Sequence, residues 1–440
     1  MQAVIMAGGK GTRLKSITND EIPKPMVRVA GKPILEWQVE TLKENGIDSI
    51  IMVTGHLGEK ITEYFRDGER FGIPITYYQE EYPLGTAGAL GLIKDMLDDT
   101  FVLAFGDVIF DIDVQRMVEF HKQHSSAITL FSHPNSHPFD SDLIICDENS
   151  CVDGFISKNM ERTEYYKNLV NAGFYIVNKK LCDDIETGVK TDLEKQLITG
   201  RIQSSHDVYS YRSTEYIKDA GTPERIKAVE ADIGNGTVKS KNLRNKQKCI
   251  FLDRDGTINR YKGLLYKIED FELEDQVAEA IKKINSSKWL VMVVTNQPVV
   301  ARGLCEIADV EQIHNKMESL LGDSGAYLDD IAFCPHHPDK GYPGENSVYK
   351  VKCDCRKPSI GMITGLVRKY NIDIHNSWII GDSTIDVQTG ENAGMHTALV
   401  KTGVAGTDGK YDVAAEVEGE SLLEIISKYV LFKENEGEYV

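Results

Sequence analysis

The chain has 440 residues, 41% hydrophobic, 8% aromatic and 27% charged. That composition excludes disordered, collagen-like and fibrous classes, and at roughly 100–200 residues per domain the length calls for two or three domains. A balance of 50 Lys+Arg against 68 Asp+Glu gives a net charge of −18, which argues against nucleic acid or an anionic membrane as a partner while leaving room for a local basic site that takes a phosphorylated small molecule.

In chain order, the hydrophobic pattern predicts a strand over Gln2–Met6, a helix over Ile34–Glu44, a strand over Ser49–Val53 and a helix over Gly58–Phe65. A strand over Ile75–Tyr78, a helix over Thr86–Leu97 and a strand over Phe101–Phe105 follow. This alternation implies a mostly parallel sheet with helices on both faces. Residues 127–177 read as more strand-rich and irregular, like an inserted region that faces a substrate. The rhythm stops near Gly234, where a polar, glycine-bearing stretch reads as a linker. A second series opens with strand Cys249–Leu252. It continues with helix Val277–Ile284, strand Leu290–Val294, helices Val310–Leu321 and Ile360–Tyr370, strand Trp378–Ile380 and helix Ile385–Ala393. The expected fold class is α/β with two doubly wound, Rossmann-like domains, residues 1–233 and 248–440, joined by a linker over 234–247.

No apolar run approaches the roughly 20 residues that span a bilayer. The first nine residues lack the basic start of a signal peptide and break at glycine. The eight cysteines are too few for a disulfide scaffold, so a reducing, cytoplasmic setting is expected. Homo-oligomerisation is left open.

Directly after the first strand comes Ala7-Gly8-Gly9-Lys10-Gly11-Thr12-Arg13-Leu14. Glycines at a strand-to-loop turn let backbone N–H groups approach phosphate, and Arg13 can add charge-assisted bonds to a leaving pyrophosphate. The spacing matches neither a P-loop nor a dinucleotide fingerprint. Lys24 stands between Pro23 and Pro25, which fix the backbone that aims it. Together with Glu81-Tyr82-Pro83-Leu84-Gly85-Thr86, Phe105-Gly106-Asp107, Asn171-Ala172-Gly173 and Asp219-Ala220-Gly221, these motifs resemble the signature of the sugar-1-phosphate nucleotidylyltransferases. The resemblance covers roughly residues 1–232. It implies attack of a sugar-1-phosphate oxygen on the α-phosphorus of a nucleoside triphosphate. Asp107 and Asp219 would hold Mg²⁺. Lys24 would take the α-phosphate or sugar phosphate, and Gly8, Gly9, Gly11, Thr12, Glu81 and Gly85 would take the nucleotide. Lys158 would lie near the sugar phosphate, Asn171 and Gly173 would belong to the sugar site, and Glu194 would accept from a sugar hydroxyl. The detail around Gly68–Ile73 and Gly106–Asp113 is similar to guanylyltransferases acting on mannose- or heptose-1-phosphate, so GTP is favoured on resemblance alone.

The second series carries Asp253-Arg254-Asp255-Gly256-Thr257 at its first strand end. Two carboxylates one residue apart suit a nucleophile and an acid/base: Asp253 can attack phosphorus, and Asp255 can protonate the leaving alkoxide and then activate water. An EF-hand reading fails because the loop's twelfth position is Leu264. Thr295-Asn296-Gln297, Arg356-Lys357-Pro358 and Gly381-Asp382-Ser383, with Asp386 close behind, complete a set that resembles the haloacid dehalogenase superfamily of phosphatases. Thr295 and Asn296 can hold phosphate oxygens, and Lys357 supplies charge. The resemblance implies Mg²⁺ on Asp253, the backbone carbonyl of Asp255, and Asp382.

Cys334, His336, Cys353 and Cys355 form a C-x-H…C-x-C cluster whose three thiolates and one imidazole suit a closed, structural Zn²⁺ site. His337 is the rival ligand. Cys146, Cys151, Cys182, Cys249 and Cys305 are expected to pack as small apolar residues. The zinc loop, with Arg302 and Arg356 as substrate contacts, is similar to that of D-glycero-D-manno-heptose-1,7-bisphosphate 7-phosphatases, with histidinol-phosphate phosphatases the alternative. The two halves together imply a bifunctional enzyme that makes GDP-heptose. The competing expectation is a mannose- or other hexose-1-phosphate nucleotidylyltransferase fused to another sugar-phosphate phosphatase.

Overall fold

The computed structural model describes residues 1–9 and 14–432 and separates into two compact units. The first is organised on strand Gln2–Met6, an aliphatic run whose Ala3, Val4 and Ile5 have no solvent exposure. Burial on both faces is the setting of a central parallel strand. It pairs in parallel with Ser49–Thr54 on one side and Thr100–Phe105 on the other. Ser49–Thr54 pairs onward with Ile75–Gln79. Beyond Thr100–Phe105 the sheet changes direction: Val170–Asn178 runs antiparallel to it and to Ile128–His133. Helices Ile34–Glu44 and Val114–Gln123 bury Leu35, Val39, Leu42, Met117 and Val118 in a core shared with the strands.

The second unit has a six-stranded sheet, parallel throughout. Its order is Asp330–Cys334, Leu290–Asn296, Cys249–Leu252, Trp378–Gly381, His396–Val400 and Val417–Gly419. In both sheets the chain leaves its first strand to one side and later returns to the other. That reversal opens a crevice beyond the strands' carboxyl ends. In the first unit it lies between Gln2–Met6 and Thr100–Phe105, and in the second between Cys249–Leu252 and Trp378–Gly381. The motif-bearing loops follow these four strands.

Three expectations change. Helix Thr86–Leu97 shortens to Gly88–Leu92 followed by a 3₁₀ turn at Lys94–Met96. The stretch read as a linker is largely folded: helix Pro223–Gly234 is followed by helix Thr237–Ser240, and Val238 packs with Val27, Val29, Ile226 and Val229. The Asn242 amide adds a bond to Asp111 Oδ1 at 2.6 Å. Leu243 already belongs to a core cluster with Cys249 and Phe251. Finally, residues 134–143 and 157–169, from within the first sequence half, group with the second unit. There the Tyr166 and Asn168 N–H groups donate to Ser319 Oγ and Glu318 Oε2 at 3.0 and 3.2 Å. Among the described residues, no helix is long and apolar enough to cross a membrane.

Candidate active sites

The crevice of the first unit is a cavity of about 720 Å³. Gly8 and Gly9 after the first strand, Lys24, Glu81, Gly85 and Asp107 all line it. Gly11, Thr12 and Arg13 lie outside the described residues. Pro23 enters, and Pro25 sits inside, a single 3₁₀ turn, Lys24–Met26, that buries the lysine stem. The Lys24 ammonium donates to Asp107 Oδ2 and stands 3.9 Å from Asp219 Oδ1.

A β-ribbon brings the two aspartates together. Val108–Asp111 pairs antiparallel with Tyr216–Asp219, placing Asp219 opposite Val108, and the Ala220 N–H donates to the Asp107 carbonyl at 2.9 Å. Asp219 Oδ1 is buried and accepts no hydrogen bond, while Oδ2 takes the Arg225 guanidinium. A buried carboxylate oxygen left without a donor, next to a second carboxylate, suits a hard cation such as Mg²⁺.

Gly85 has φ +84°, and a Cβ there would fall 2.5 Å from the Thr191 carbonyl. Its loop is stitched to residues 191–193 by the Thr191 N–H donating to Leu84 O and the Leu193 N–H donating to Thr86 Oγ1. Nearby Glu80, whose carboxyl is pushed up by burial, accepts from the Leu84 N–H. Sequence reasoning missed Glu80, His56 and Lys190 as lining residues; none stands in a glycine or proline motif.

Asn171 and Glu194 meet directly, Asn171 Nδ2 donating to Glu194 Oε1 at 2.8 Å. Tyr175 OH joins them, donating to the same oxygen at 3.0 Å. Tyr175 gave no signal beyond its place in a strand. Gly173 packs against the Phe105 ring. Lys158 is exposed, and its backbone N–H donates to Asp142 Oδ1 at 2.7 Å.

In the second unit Asp253, Asp382 and Asp386 offer oxygens within 4.8 Å of one another. Lys357 Nζ lies 2.8 Å from Asp253 Oδ1 and 2.5 Å from Asp386 Oδ1. Burial first, then the Asp386 and Asp255 charges, push the Asp253 carboxyl up to about 6 against the pull of Lys357. Burial and the Asp253 charge push Asp382 up to about 8. Such crowding of carboxylates is relieved by a divalent cation, so the donor set fits Mg²⁺.

Asp386 is missing from the expected metal set, although its spacing was legible: Ser383 caps helix Thr384–Ala393 reciprocally with Asp386. Gly256, at φ +85°, and Gly403 allow the backbone to close on Asp382, whose Oδ2 accepts from the Val404 N–H at 2.7 Å. Asn296 brackets Lys357, accepting from its N–H at 2.9 Å and donating to its carbonyl at 3.1 Å. Thr295 Oγ1 accepts from Gln297 Nε2. Asp255 is held by Arg254, Asn259 and Gln297. Arg254 is fully buried, and its NH1 lies 3.3 Å from His314 Nε2. Burial and the Arg254 charge hold His314 well below the usual imidazole range, so the ring is neutral and accepts.

The Sγ atoms of Cys334, Cys353 and Cys355 and the Nδ1 of His336 lie within 4.8 Å of one another. An S₃N set fits Zn²⁺. His337 is buried elsewhere, its Nδ1 accepting from the Asp339 N–H. The Arg356 guanidinium donates to the His336 carbonyl at 3.1 Å. Arg302 lies over the Tyr342 ring, 4.5 Å from its centre, and the buried Lys350 ammonium is 4.6 Å from that same centre. Of the remaining cysteines, Cys151, Cys182 and Cys249 are buried, and burial pushes the Cys182 thiol up to about 11.

Comparison with known proteins matches two stretches of the chain to two different families. A nucleotidyl transferase family model matches residues 2–236, and a HAD-hydrolase-like model matches residues 354–421. The D-glycero-beta-D-manno-heptose-1,7-bisphosphate 7-phosphatase of Haemophilus ducreyi is 40% identical over 161 residues, 36% of this chain and 86% of that protein. The UTP–glucose-1-phosphate uridylyltransferase of Synechocystis is 31% identical over 262 residues, 56% of this chain and 66% of that protein. The mannose-1-phosphate guanylyltransferase catalytic subunit beta of Drosophila melanogaster is 33% identical over 227 residues, 51% of this chain and 60% of that protein. The chain thus spans less than two thirds of the length of these two nucleotidylyltransferases. With the matched residues covering more than half its length, this chain belongs to the nucleotidyl transferase family and carries a HAD-like phosphatase domain at its C-terminus.

Proposed function

We propose that the protein removes the 7-phosphate of D-glycero-D-manno-heptose 1,7-bisphosphate and transfers GMP from GTP to the resulting heptose 1-phosphate, releasing pyrophosphate. The observation that carries this reading is the 40% identity to a heptose-bisphosphate 7-phosphatase in a chain whose other half has guanylyltransferase relatives. The product of the first chemistry is the acceptor of the second.

In the phosphatase half, Asp253 attacks the 7-phosphorus as the P–O bond to the sugar breaks. Asp255 gives its proton to the leaving alkoxide, then takes one from the water that cleaves the aspartyl-phosphate. Lys357 holds the phosphoryl oxygens with Thr295 and Asn296, and Arg302 and Arg356 receive the remainder of the substrate. In the transferase half, Lys24 binds the α-phosphate or sugar phosphate and Arg13 the leaving pyrophosphate. Gly8, Gly9, Gly11, Thr12, Glu81 and Gly85 hold the nucleotide. Asn171 and Gly173 receive the sugar, Glu194 accepts from a sugar hydroxyl, and Lys158 pairs with the sugar phosphate. Such transfer is mainly positioning and charge neutralisation. Mg²⁺ would sit on Asp107 and Asp219 and on Asp253, Asp382 and the Asp255 carbonyl, supplying charge neutralisation at phosphate, with Zn²⁺ on the Cys/His set as a structural clip. Nucleoside triphosphate use fits a cytoplasmic location.

The test incubates heptose 1,7-bisphosphate and Mg²⁺ with GTP, ATP, CTP or UTP and follows phosphate and nucleotide-sugar by mass, in wild type, Asp253→Asn and Lys24→Ala. GDP-heptose from GTP alone, lost in both variants, is the expected result. The uridylyltransferase relative favours a second reading, which a UDP-sugar product would establish. No phosphate from the bisphosphate would sink the heptose assignment.

A further inference from the structure

Arg254 lies between the two aspartates of the phosphatase loop and is the largest fully buried side chain in the described protein. A guanidinium without water costs several kcal/mol unless its donors are matched. Its Nε and NH2 donate to Asp255 Oδ1 at 3.2 and 2.9 Å, and NH2 also reaches Oδ2 at 2.9 Å. Behind it, NH1 donates to the Nε2 of His314 on helix Ile307–Asp323. The backbone is pinned at the same place, the Ile258 and Asn259 N–H groups donating to the Arg254 carbonyl at 2.8 and 3.0 Å.

An aspartate's terminal torsion is soft, so a lone carboxyl readily exchanges its two oxygens. Here Arg254 touches both, which blocks that exchange. Oδ1 takes three donors, Arg254 Nε and NH2 and Asn259 Nδ2, whereas Oδ2 takes two, Arg254 NH2 and Gln297 Nε2. Oδ2 therefore carries fewer donors than Oδ1, and a proton on it replaces one of two donated bonds rather than one of three.

We propose that Arg254, braced by His314, is a positioning residue that fixes the Asp255 carboxyl for proton transfer, with the proton carried on Oδ2. This rests on the reading of Asp255 as the acid/base. As Asp253 Oδ bonds to phosphorus and the P–O bond to the sugar breaks, the Oδ2 proton passes to the departing alkoxide oxygen. Water then attacks phosphorus, its proton returns to Oδ2, and Asp253 is released with inorganic phosphate.

The role separates from simple support by leaving group. An alkyl phosphate needs the proton, whereas 4-nitrophenolate departs without it. With the full chain and Mg²⁺, Arg254→Met is expected to slow the single-turnover release of heptose 1-phosphate from heptose 1,7-bisphosphate by about 100-fold, with KM changed less than about 3-fold and the burst release of 4-nitrophenolate slowed less than about 5-fold; hydrolysis of the aspartyl-phosphate, which needs the base after either ester, slows equally for both. His314→Leu, which keeps both charges but removes the acceptor, should show the same selectivity at about 10-fold, and His314→Gln, whose amide oxygen can accept, should restore most of it. If Arg254→Met does not fold, the His314 pair carries the test. Equal losses in the release of both leaving groups, in a protein where Asp255→Asn is selective for the alkyl ester at that step, overturn the inference alone. An Asp255→Asn protein that slows the release of both leaving groups equally removes the acid reading, and this inference with it.

Discussion

At the residue scale, both sites set a lysine against paired carboxylates, but the lysines have different tasks. Lys24 lies between two half-buried aspartates, so it screens their repulsion, and in the proposed reaction it would present charge to phosphate. Lys24→Ala should cut nucleotide-sugar formation by about 100-fold or more, while phosphate release from the bisphosphate stays intact. Asp386 accepts from Lys357 and from Ser383 Oγ at 2.6 Å, so Asp386→Asn should weaken Mg²⁺ binding by about tenfold or more in calorimetric titration.

His121 gives a pH prediction away from both sites. Burial pushes it down to about 4, and its Nδ1 is 2.9 Å from Thr129 Oγ1. The unfolded chain binds that proton near pH 6.5 and the folded chain does not, so stability rises with pH between about 4 and 6.5 and is lost as pH falls through that window. Urea unfolding of wild type against His121→Gln should show a slope difference of up to about 1.4 kcal/mol per pH unit there.

At the element scale, ribbons and clips set the active geometry. The loop at Gly85 closes on Thr191 through a positive φ. Gly85→Ala should therefore cost about 1–3 kcal/mol of stability and slow nucleotidyl transfer, read by thermal unfolding and product formation. The Cys/His cluster ends one residue before Arg356 and two before Lys357. Cys353→Ser, or chelation, should remove about one zinc per chain and lower phosphatase activity and melting temperature, while nucleotidyl transfer persists. Metal analysis that finds no zinc in the purified protein would remove this prediction. Local pattern located these loops because glycine, proline and paired acids are required where backbone meets phosphate. It did not reveal the contacts of Tyr175 with Glu194 or of Arg254 with His314, because these residues read locally as ordinary strand, loop and helix residues and those partners lie farther along the chain.

At the whole-molecule scale, two sheets with separate cores each carry their own site. The activities should therefore be lost independently. Asp253→Asn protein given heptose 1-phosphate directly should still make the nucleotide-sugar, and Lys24→Ala protein should still release phosphate from the bisphosphate. Loss of both activities in either variant would contradict independent sites.

The sequence by itself determined the two α/β series, the order of the glycine-, proline- and carboxylate-bearing motifs, and the close spacing of three thiols with His336 or His337. These rest on hydrophobic periodicity and on residue types that chemistry demands at short spacing. Only the tertiary structure decided that residues 134–143 and 157–169 group with the second unit, that the supposed linker folds around Val238, and that Asp386 joins Asp253 and Asp382. Those outcomes depend on which distant surfaces bury one another and which buried charges find partners, and neither is encoded in local spacing.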